Sequence, residues 1–244
     1  MSGRSASSPA AIARIFGGAL SAFQIVELSS DMWIRPVAPT SAGQECRYVA
    51  GMPDEATWSD YYEANEGRAP RDQLLDVLAT FAEPGNAVDL GCGAGIDTLA
   101  MLDRGWTVVA IDAEPEAIER VRRRAAERPS LETQLSPMED VDLPPADLVW
   151  ASYSLFFCDP ARFPDVWARI QAAVRPGGRF AGELLGDHDT WAAMPERTAM
   201  TRAEAEALFD GWDVERFEEE ENDGEACSGP KHWHLFHVIA QAPD

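Results

Sequence analysis

The stretch Ala87-Val88-Asp89-Leu90-Gly91-Cys92-Gly93-Ala94-Gly95-Ile96-Asp97 constrains this chain more than any other. A short apolar run ends in three glycines at alternate positions, and a helical pattern begins directly after them. Glycines so placed let the backbone turn tightly and leave no Cβ where a ligand must lie against the chain, at the positive end of the helix that follows. The segment predicts a buried strand, a binding turn and a helix in that order.

The alternation continues on both sides. Leu74, Leu75, Leu78 and Phe81 at helical spacing, opened by Pro70, predict a helix over 70–82. Strands are expected at 87–90, 107–111, 131–135, 146–152 and 179–185, the last after Pro176-Gly177-Gly178. Helices are expected at 96–103, at 115–127 with Pro115 in the first turn, and at 163–174. A helix over 201–209 and strands over 212–218 and 232–241 close the chain, with Asn222-Asp223-Gly224 read as the turn between them. Strand–helix repetition on this scale predicts a parallel sheet covered on both faces with right-handed crossovers, and the two adjacent closing strands add an antiparallel member.

Charge narrows the partners. The 42 acidic residues against 20 basic ones give a net charge of -22, which repels a polyphosphate, so nucleic acid is excluded as a substrate. Arg120-Val121-Arg122-Arg123-Arg124 is the dense basic run, and it sits among acids on an expected helix as a solvated face. Cys46, Cys92, Cys158 and Cys227 form no CxxC pair, which points to a reduced, cytoplasmic setting without a disulfide framework or zinc motif. The apolar run from Ala10 to Val26 is broken by Arg14 and Gln24, so no membrane span or signal-peptide core is expected. Residues 1–50 read as an N-terminal extension: a Ser/Ala-rich start, a short apolar segment with a helix over 10–20, then Pro36, Pro39 and Gly43. A lid, an interface arm and an unordered segment all remain open for it. The catalytic domain is expected over 51–244, as a monomer or homodimer.

The glycine loop admits two nucleotide readings. A nicotinamide fingerprint requires Gly-x-Gly-x-x-Gly, whereas here the third glycine comes one residue early and Asp89 precedes the set by two. The next strand ends in Asp112, 21 residues beyond Gly91, placed for a carboxylate to accept both hydroxyls of a ribose. A carboxylate beside the loop repels a pyrophosphate but attracts a cationic ligand.

Asp-x-Gly-x-Gly-x-Gly resembles motif I of the class I S-adenosylmethionine-dependent methyltransferases, and the resemblance extends over roughly residues 58–241. It implies a doubly wound, Rossmann-like α/β fold with a seven-stranded sheet in the order 3-2-1-4-5-7-6. It also implies S-adenosylmethionine as cofactor, held by Asp89, Gly91, Cys92, Gly93 and Gly95 in the loop, and by Asp112 and Ala113 after strand two. Pro137-Met138-Glu139-Asp140 falls where the family places its adenine loop, which implicates Met138 and Glu139; Pro137 stands where an acid is usual. Trp58-Ser59-Asp60-Tyr61-Tyr62 and the segment from Arg104 to Asp112 look most like bacterial tellurite-resistance and related small-molecule methyltransferases. Strand four is followed by Ser152-Tyr153-Ser154-Leu155 in place of Asn-Pro-Pro-Tyr, which speaks against methylation of amino groups on DNA bases.

Ligands of open α/β sheets lie beyond the carboxyl ends of the strands, which places Ser152, Tyr153 and Phe156 after strand four, and Leu185 to Trp191 after strand five, at the site. His188, between two carboxylates, is a candidate general base. Tyr61 and Tyr62 are candidates to close over a sulfonium through cation–π attraction. The closing strand carries Lys231-His232-Trp233-His234-Leu235-Phe236-His237. Alternation puts His232 and His234 on one face near the ligand edge, as candidates for the acceptor pocket, and carries His237 into the core. No third ligand is evident beside His232 and His234, so no metal is expected. The function that follows is methyl transfer to a small-molecule acceptor. Two alternatives share the fold: cyclisation or elimination of the cofactor's aminobutyrate arm, and a non-catalytic cofactor-binding subunit.

Overall fold

The computed structural model describes residues 57–244 apart from Glu127, Cys227 and Ser228. The extension expected over 1–50 lies outside the described residues, as do Cys46, Cys227 and the boundary at residue 51.

Helices α1 (Trp58–Ala64) and α2 (Asp72–Ala79) precede β1 (Asn86–Leu90), α3 (Ile96–Asp103), β2 (Thr107–Asp112), α4 (Pro115–Ala125) and β3 (Leu131–Leu135). Then come β4 (Ala146–Ala151), α5 (Phe163–Ala173), β5 (Val174–Gly186), β6 (Ala199–Met200), α6 (Arg202–Ala207), β7 (Asp213–Ala226) and β8 (Gly229–Gln241). The sheet runs β3-β2-β1-β4-β5-β8-β7, with β1 to β5 parallel and β8 antiparallel to both β5 and β7. This is the expected order, with β7 and β8 as the sixth and seventh strands of the family. The addition is β6, two residues that pair in parallel with Leu185 and Gly186, beyond the last β4 partner of β5 at Gly182.

The central strands β1, β4, β5 and β8 are largely buried on both faces, as a parallel sheet covered by helices requires. Val149, Phe180, Phe236 and Val238 pack against Trp167 and Ile170 of α5 and against Phe209. Their neighbours Leu148, Trp150, Ala181 and Ile239 face the other way, onto Leu74 and Val77 of α2 and Met101 of α3. The period of two thus sends successive side chains of β4, β5 and β8 into two separate cores.

Three expectations shift. Helix 70–82 shortens to α2, capped at Arg71 and ending where the Thr80 hydroxyl donates to the Val77 carbonyl. Strand five begins at Val174, because Pro176-Gly177-Gly178 forms an irregularity within the pairing to β4, where the register shifts between Ala146 and Leu148. The turn expected at Asn222-Asp223-Gly224 is strand: these residues pair with Trp233, His232 and Lys231, and the hairpin runs on to Ala226 opposite Gly229. Gly224 answers a close approach there, since a Cβ on it would stand 3.2 Å from the Trp233 ring. The outer strand β7 is lined with exposed acids, which protect a sheet edge from further pairing.

Candidate cofactor and acceptor site

The site forms where β1 and β4 end side by side. After Leu90 the chain turns through Gly91 and Gly93, both at positive φ (81° and 51°). At Gly91 a Cβ would lie 2.3 Å from the Cβ of Ser154, whose hydroxyl donates to the Leu90 carbonyl at 2.6 Å. The loop is thus pinned to the start of the segment after β4. Gly93 faces open space, with only a Tyr62 ring carbon at 3.7 Å from a hypothetical Cβ. Gly95 serves another purpose: it caps α3 at φ 80°, and a Cβ there would meet Val121 of α4 at 2.6 Å. The first two glycines shape the ligand surface and the third lets two helices pack.

A cavity of about 190 Å³ opens over this turn. Asp89, Gly91, Cys92, Gly93, Asp112, Ala113, Met138, Glu139, Ser152, Tyr61, Tyr62 and Tyr153 all line it. Gly95 lies behind the wall. Asp112 accepts the Gly93 N–H at 2.8 Å and the Glu114 N–H at 2.9 Å, so the acid at the end of β2 also fixes the loop from β1. Burial pushes its pKa up, and the backbone donors oppose that shift. Asp89 lies deeper, bonded by the Thr98 hydroxyl at 2.5 Å, and burial raises it to about 7 against that hydrogen bond. Burial also pushes the Cys92 thiol well above its ordinary value, which disfavours the nucleophilic thiolate. The Glu139 carboxylate accepts the Asp159 N–H at 2.9 Å, and Asp140 is taken up by Arg162, which leaves Met138 and Glu139 as the wall on the adenine-loop side.

The sequence did not announce several of the lining residues. Trp58 and Phe157 meet edge to face at 5.6 Å, and Trp58 stacks on Tyr62, so aromatic rings build one wall. Arg68 forks onto Asp97 at 3.2 and 3.1 Å, and Arg71 lies over the Tyr153 ring at 4.2 Å. Both arginines come from the segment Gly67-Arg68-Ala69-Pro70-Arg71, which matches no motif. Helix α1, which carries Trp58, Tyr61 and Tyr62, has seven residues and depends on its capping box: Thr57 Oγ1 accepts the Asp60 N–H, and the Asp60 carboxylate accepts the Thr57 N–H at 2.7 Å. Thr57→Ala is expected to weaken cofactor binding roughly fivefold through loss of this cap, with the global unfolding midpoint nearly unchanged; calorimetry and a denaturant titration read the two effects separately.

Tyr153 is held in the left-handed region at φ 50°, which few bulky side chains adopt without support. Its N–H donates to Glu183 at 2.8 Å, and Glu183 is almost wholly buried in the middle of β5. A lone acid in the apolar run Phe180-Ala181-Gly182-Glu183-Leu184-Leu185 was the sequence signal for this role. His237 stands opposite on β8, its Nδ1 3.6 Å from Glu183 and its Nε2 2.9 Å from Glu220. Burial disfavours the charged imidazole, but the hydrogen bonds to Glu183 and Glu220 outweigh it and push His237 from 6.5 to about 9. A raised folded-state pKa gives stability that is complete below the unfolded value and lost as pH climbs through the folded one. Unfolding free energy is expected to fall by on the order of 2 kcal/mol between about pH 6.5 and 9, and His237→Gln to flatten that slope in denaturant titrations.

The four candidate catalytic residues separate. Tyr153 lines the cavity, whereas His188, just after β5, and His232 and His234, on the part of β8 beyond its pairing with β5, do not. His237, expected to be a core residue, is the histidine connected to the cavity, through Glu183.

An acid on the second strand, a glycine turn open toward it and a sheet reversing between β1 and β4 define a class I Rossmann-like site for S-adenosylmethionine. The cavity suits that cofactor on its own terms: carboxylates, not lysines, lie near the turn, and the buried Ser152 hydroxyl has no hydrogen-bond partner among the described residues. Residues 87–178 match the family model described as a methyltransferase domain, and the fold is that of the class I S-adenosylmethionine-dependent methyltransferases. It is 34% identical over 115 residues to a carboxy-S-adenosyl-L-methionine synthase of Trichlorobacter lovleyi, covering 42% of this chain and 46% of the synthase. The chain spans about half the length of the curated relatives it matches. Among solved structures, TehB from Haemophilus influenzae superposes with a TM-score of 0.65 at 16% identity, covering 77% of this chain and 68% of TehB. A Burkholderia thailandensis 1,6-didemethyltoxoflavin-N1-methyltransferase with bound S-adenosylhomocysteine gives 0.56 at 20% identity, covering 94% and 98%. These likenesses concern the fold. Among the described residues no helix is long and apolar enough to cross a membrane.

Proposed function

We propose that the domain transfers a methyl group from S-adenosylmethionine to a small-molecule acceptor admitted beside Tyr153, in a reducing cytoplasmic setting consistent with buried, unpaired Cys92 and Cys158. The observation that carries this reading is the junction of the Gly91–Gly93 turn, Asp112 and an aromatic wall in one cavity. Bound, the cofactor supplies a methyl group activated on a sulfonium. The residues then divide the work of holding it. Asp112 accepts the ribose hydroxyls, Met138 and Glu139 flank the base, and Arg68 and Arg71 offer guanidinium groups to the amino-acid carboxylate. Trp58, Tyr61 and Tyr62 present ring faces to positive charge. Tyr153, fixed by Glu183, forms the acceptor side, where orientation matters more than a strong base.

A second reading is favoured by the similarity to the carboxy-S-adenosyl-L-methionine synthase together with two arginines at the cavity. Here the domain alters the cofactor itself: the sulfonium methyl carbon gives up a proton and takes the CO2 released by a decarboxylating co-substrate, and the two guanidinium groups hold the added carboxylate. Incubation of the purified chain with S-adenosylmethionine and a bacterial metabolite extract separates the readings by mass spectrometry. Methyl transfer yields S-adenosylhomocysteine and an acceptor heavier by a methyl group. A carboxylated cofactor supports the second reading, and methylthioadenosine indicates loss of the aminobutyrate arm. Failure to bind S-adenosylhomocysteine at all would overturn both.

A further inference from the structure

His188 and His234, which the cavity leaves aside, meet at the end of β5. His234 is only 1% exposed, its ring laid on Gly186 so closely that a Cβ there would stand 2.1 Å from Nδ1. Its Nε2 lies 2.9 Å from Glu219 Oε1, and Glu219 in turn accepts from Arg202 at 2.6 Å. Its Nδ1 accepts a 3.1 Å hydrogen bond from the His188 backbone N–H. A ring that accepts at Nδ1 carries its proton on Nε2, so the Nε2–H donates to Glu219. The Nδ1 lone pair is therefore directed toward the segment after β5, where an ion bound to it takes the place of the His188 N–H and Asp187 Oδ1 stands 3.8 Å away. The His188 ring stacks on that of His234, with centroids 4.8 Å apart, and its own Nδ1 lies 3.2 Å from Glu221. One ligand atom each from Asp187, His188 and His234 falls within 4.8 Å of the other two.

We propose that Asp187, His188 and His234 form a binding site for a divalent cation of the zinc class. Two imidazoles and one carboxylate match the donor preference of Zn²⁺ or Co²⁺, and a fourth position is left for water. The surroundings are those such a site needs. A metal-bound imidazole commonly donates its other N–H to a carboxylate, which fixes the tautomer. His234 does so to Glu219, itself anchored by Arg202, and His188 has Glu221 in the equivalent place. A second grouping, Glu219, Glu221 and His234, also lies within reach of one ion. It requires the Nε2 that carries the proton and a carboxylate already paired with Arg202, so the Nδ1 grouping is favoured. His232 belongs to neither, being bonded to Asp223 at 2.8 Å and to Glu221 at 3.3 Å. Coordination ties the segment that leaves β5 to β8, and that segment carries Asp189 and Trp191. The site is separate from the cavity and stands whether or not methyl transfer is the reaction.

The test uses the tag-free chain, stripped with a chelator and dialysed, with Zn²⁺ followed by calorimetry and Co²⁺ by visible absorption. The expected result is one equivalent bound at about micromolar Kd or tighter, with the d–d bands of cobalt bound to nitrogen and oxygen. Asp187→Asn and His188→Gln alter exposed side chains and should each weaken binding at least about tenfold while circular dichroism stays unchanged. Glu219→Gln should cost roughly tenfold to a hundredfold, and His232→Gln should cost nothing. Binding no tighter than millimolar, equal affinity in all variants, an equal loss in His232→Gln, or a thiolate-to-cobalt charge-transfer band would each overturn the assignment.

Discussion

Asp112→Ala is expected to weaken binding of S-adenosylhomocysteine by about a hundredfold or more. Two losses combine. The first is direct: the carboxylate at the end of β2 accepts the ribose hydroxyls, and hydrogen bonds to a charged acceptor contribute about 1.5–3 kcal/mol each. The second acts through the loop, because the same carboxylate holds the Gly93 N–H at 2.8 Å, and Gly93 is the open face of the turn. Without it the loop keeps its attachment through Gly91 and Ser154, and the Gly91 and Cys92 N–H groups still donate to the Ile111 carbonyl of β2, but the bond that fixes Gly93 itself is lost. Asp112→Asn fares little better. The two carboxylate oxygens serve different N–H groups, Gly93 and Glu114, and an amide places an NH2 against one of them. Calorimetric titration of folded variants measures the effect. A change below threefold with an unaltered circular dichroism spectrum would remove Asp112 from the cofactor site.

How much of this was legible beforehand depends on whether the information is local. Gly91, Gly93 and Asp112 announce themselves because glycine spacing after a strand and an acid at the end of the next one are local patterns with a physical cause. Gly95 belongs to the same pattern and serves helix packing, a distinction that rests on Val121 in a helix 26 residues further on. Asn222-Asp223-Gly224 reads as a turn by composition and is strand by pairing, since Trp233 packs over Gly224 and selects glycine for a reason that only the partner strand supplies. Arg68 and Arg71 carry no signal, because their meaning lies in Asp97 and Tyr153, which reach them through the fold. The histidines divide similarly. Alternation correctly assigns faces on β8, but the placement of His188 beside His234 depends on where the chain goes after β5, and a periodic pattern ends with its strand.

Lys231 carries the largest expected effect on stability. Its side chain is 1% exposed and paired with Asp189, itself fully buried, while its ammonium lies 3.6 Å from the centroid of Trp233 and 4.0 Å from that of Trp191. Asp189 accepts at the same time from the backbone N–H groups of Trp191 and His234, so this carboxylate joins the segment after β5 to β8. Lys231→Met keeps most of the volume between the two indoles and removes the charge. It is expected to destabilise the chain by about 3–5 kcal/mol, because an unpaired carboxylate is left in an apolar aromatic cluster. The cost should arise chiefly from the stranded charge and less from the loss of cation–π attraction, which is worth about 0.5–2 kcal/mol. A double-mutant cycle separates the two. If the stranded charge dominates, Lys231→Met combined with Asp189→Asn unfolds at higher denaturant than Lys231→Met alone, since the neutral amide leaves no ion to desolvate. If the packing of ammonium against indole dominates, the second substitution adds to the first, and the pair serves to fill the space between two tryptophans instead of balancing charge.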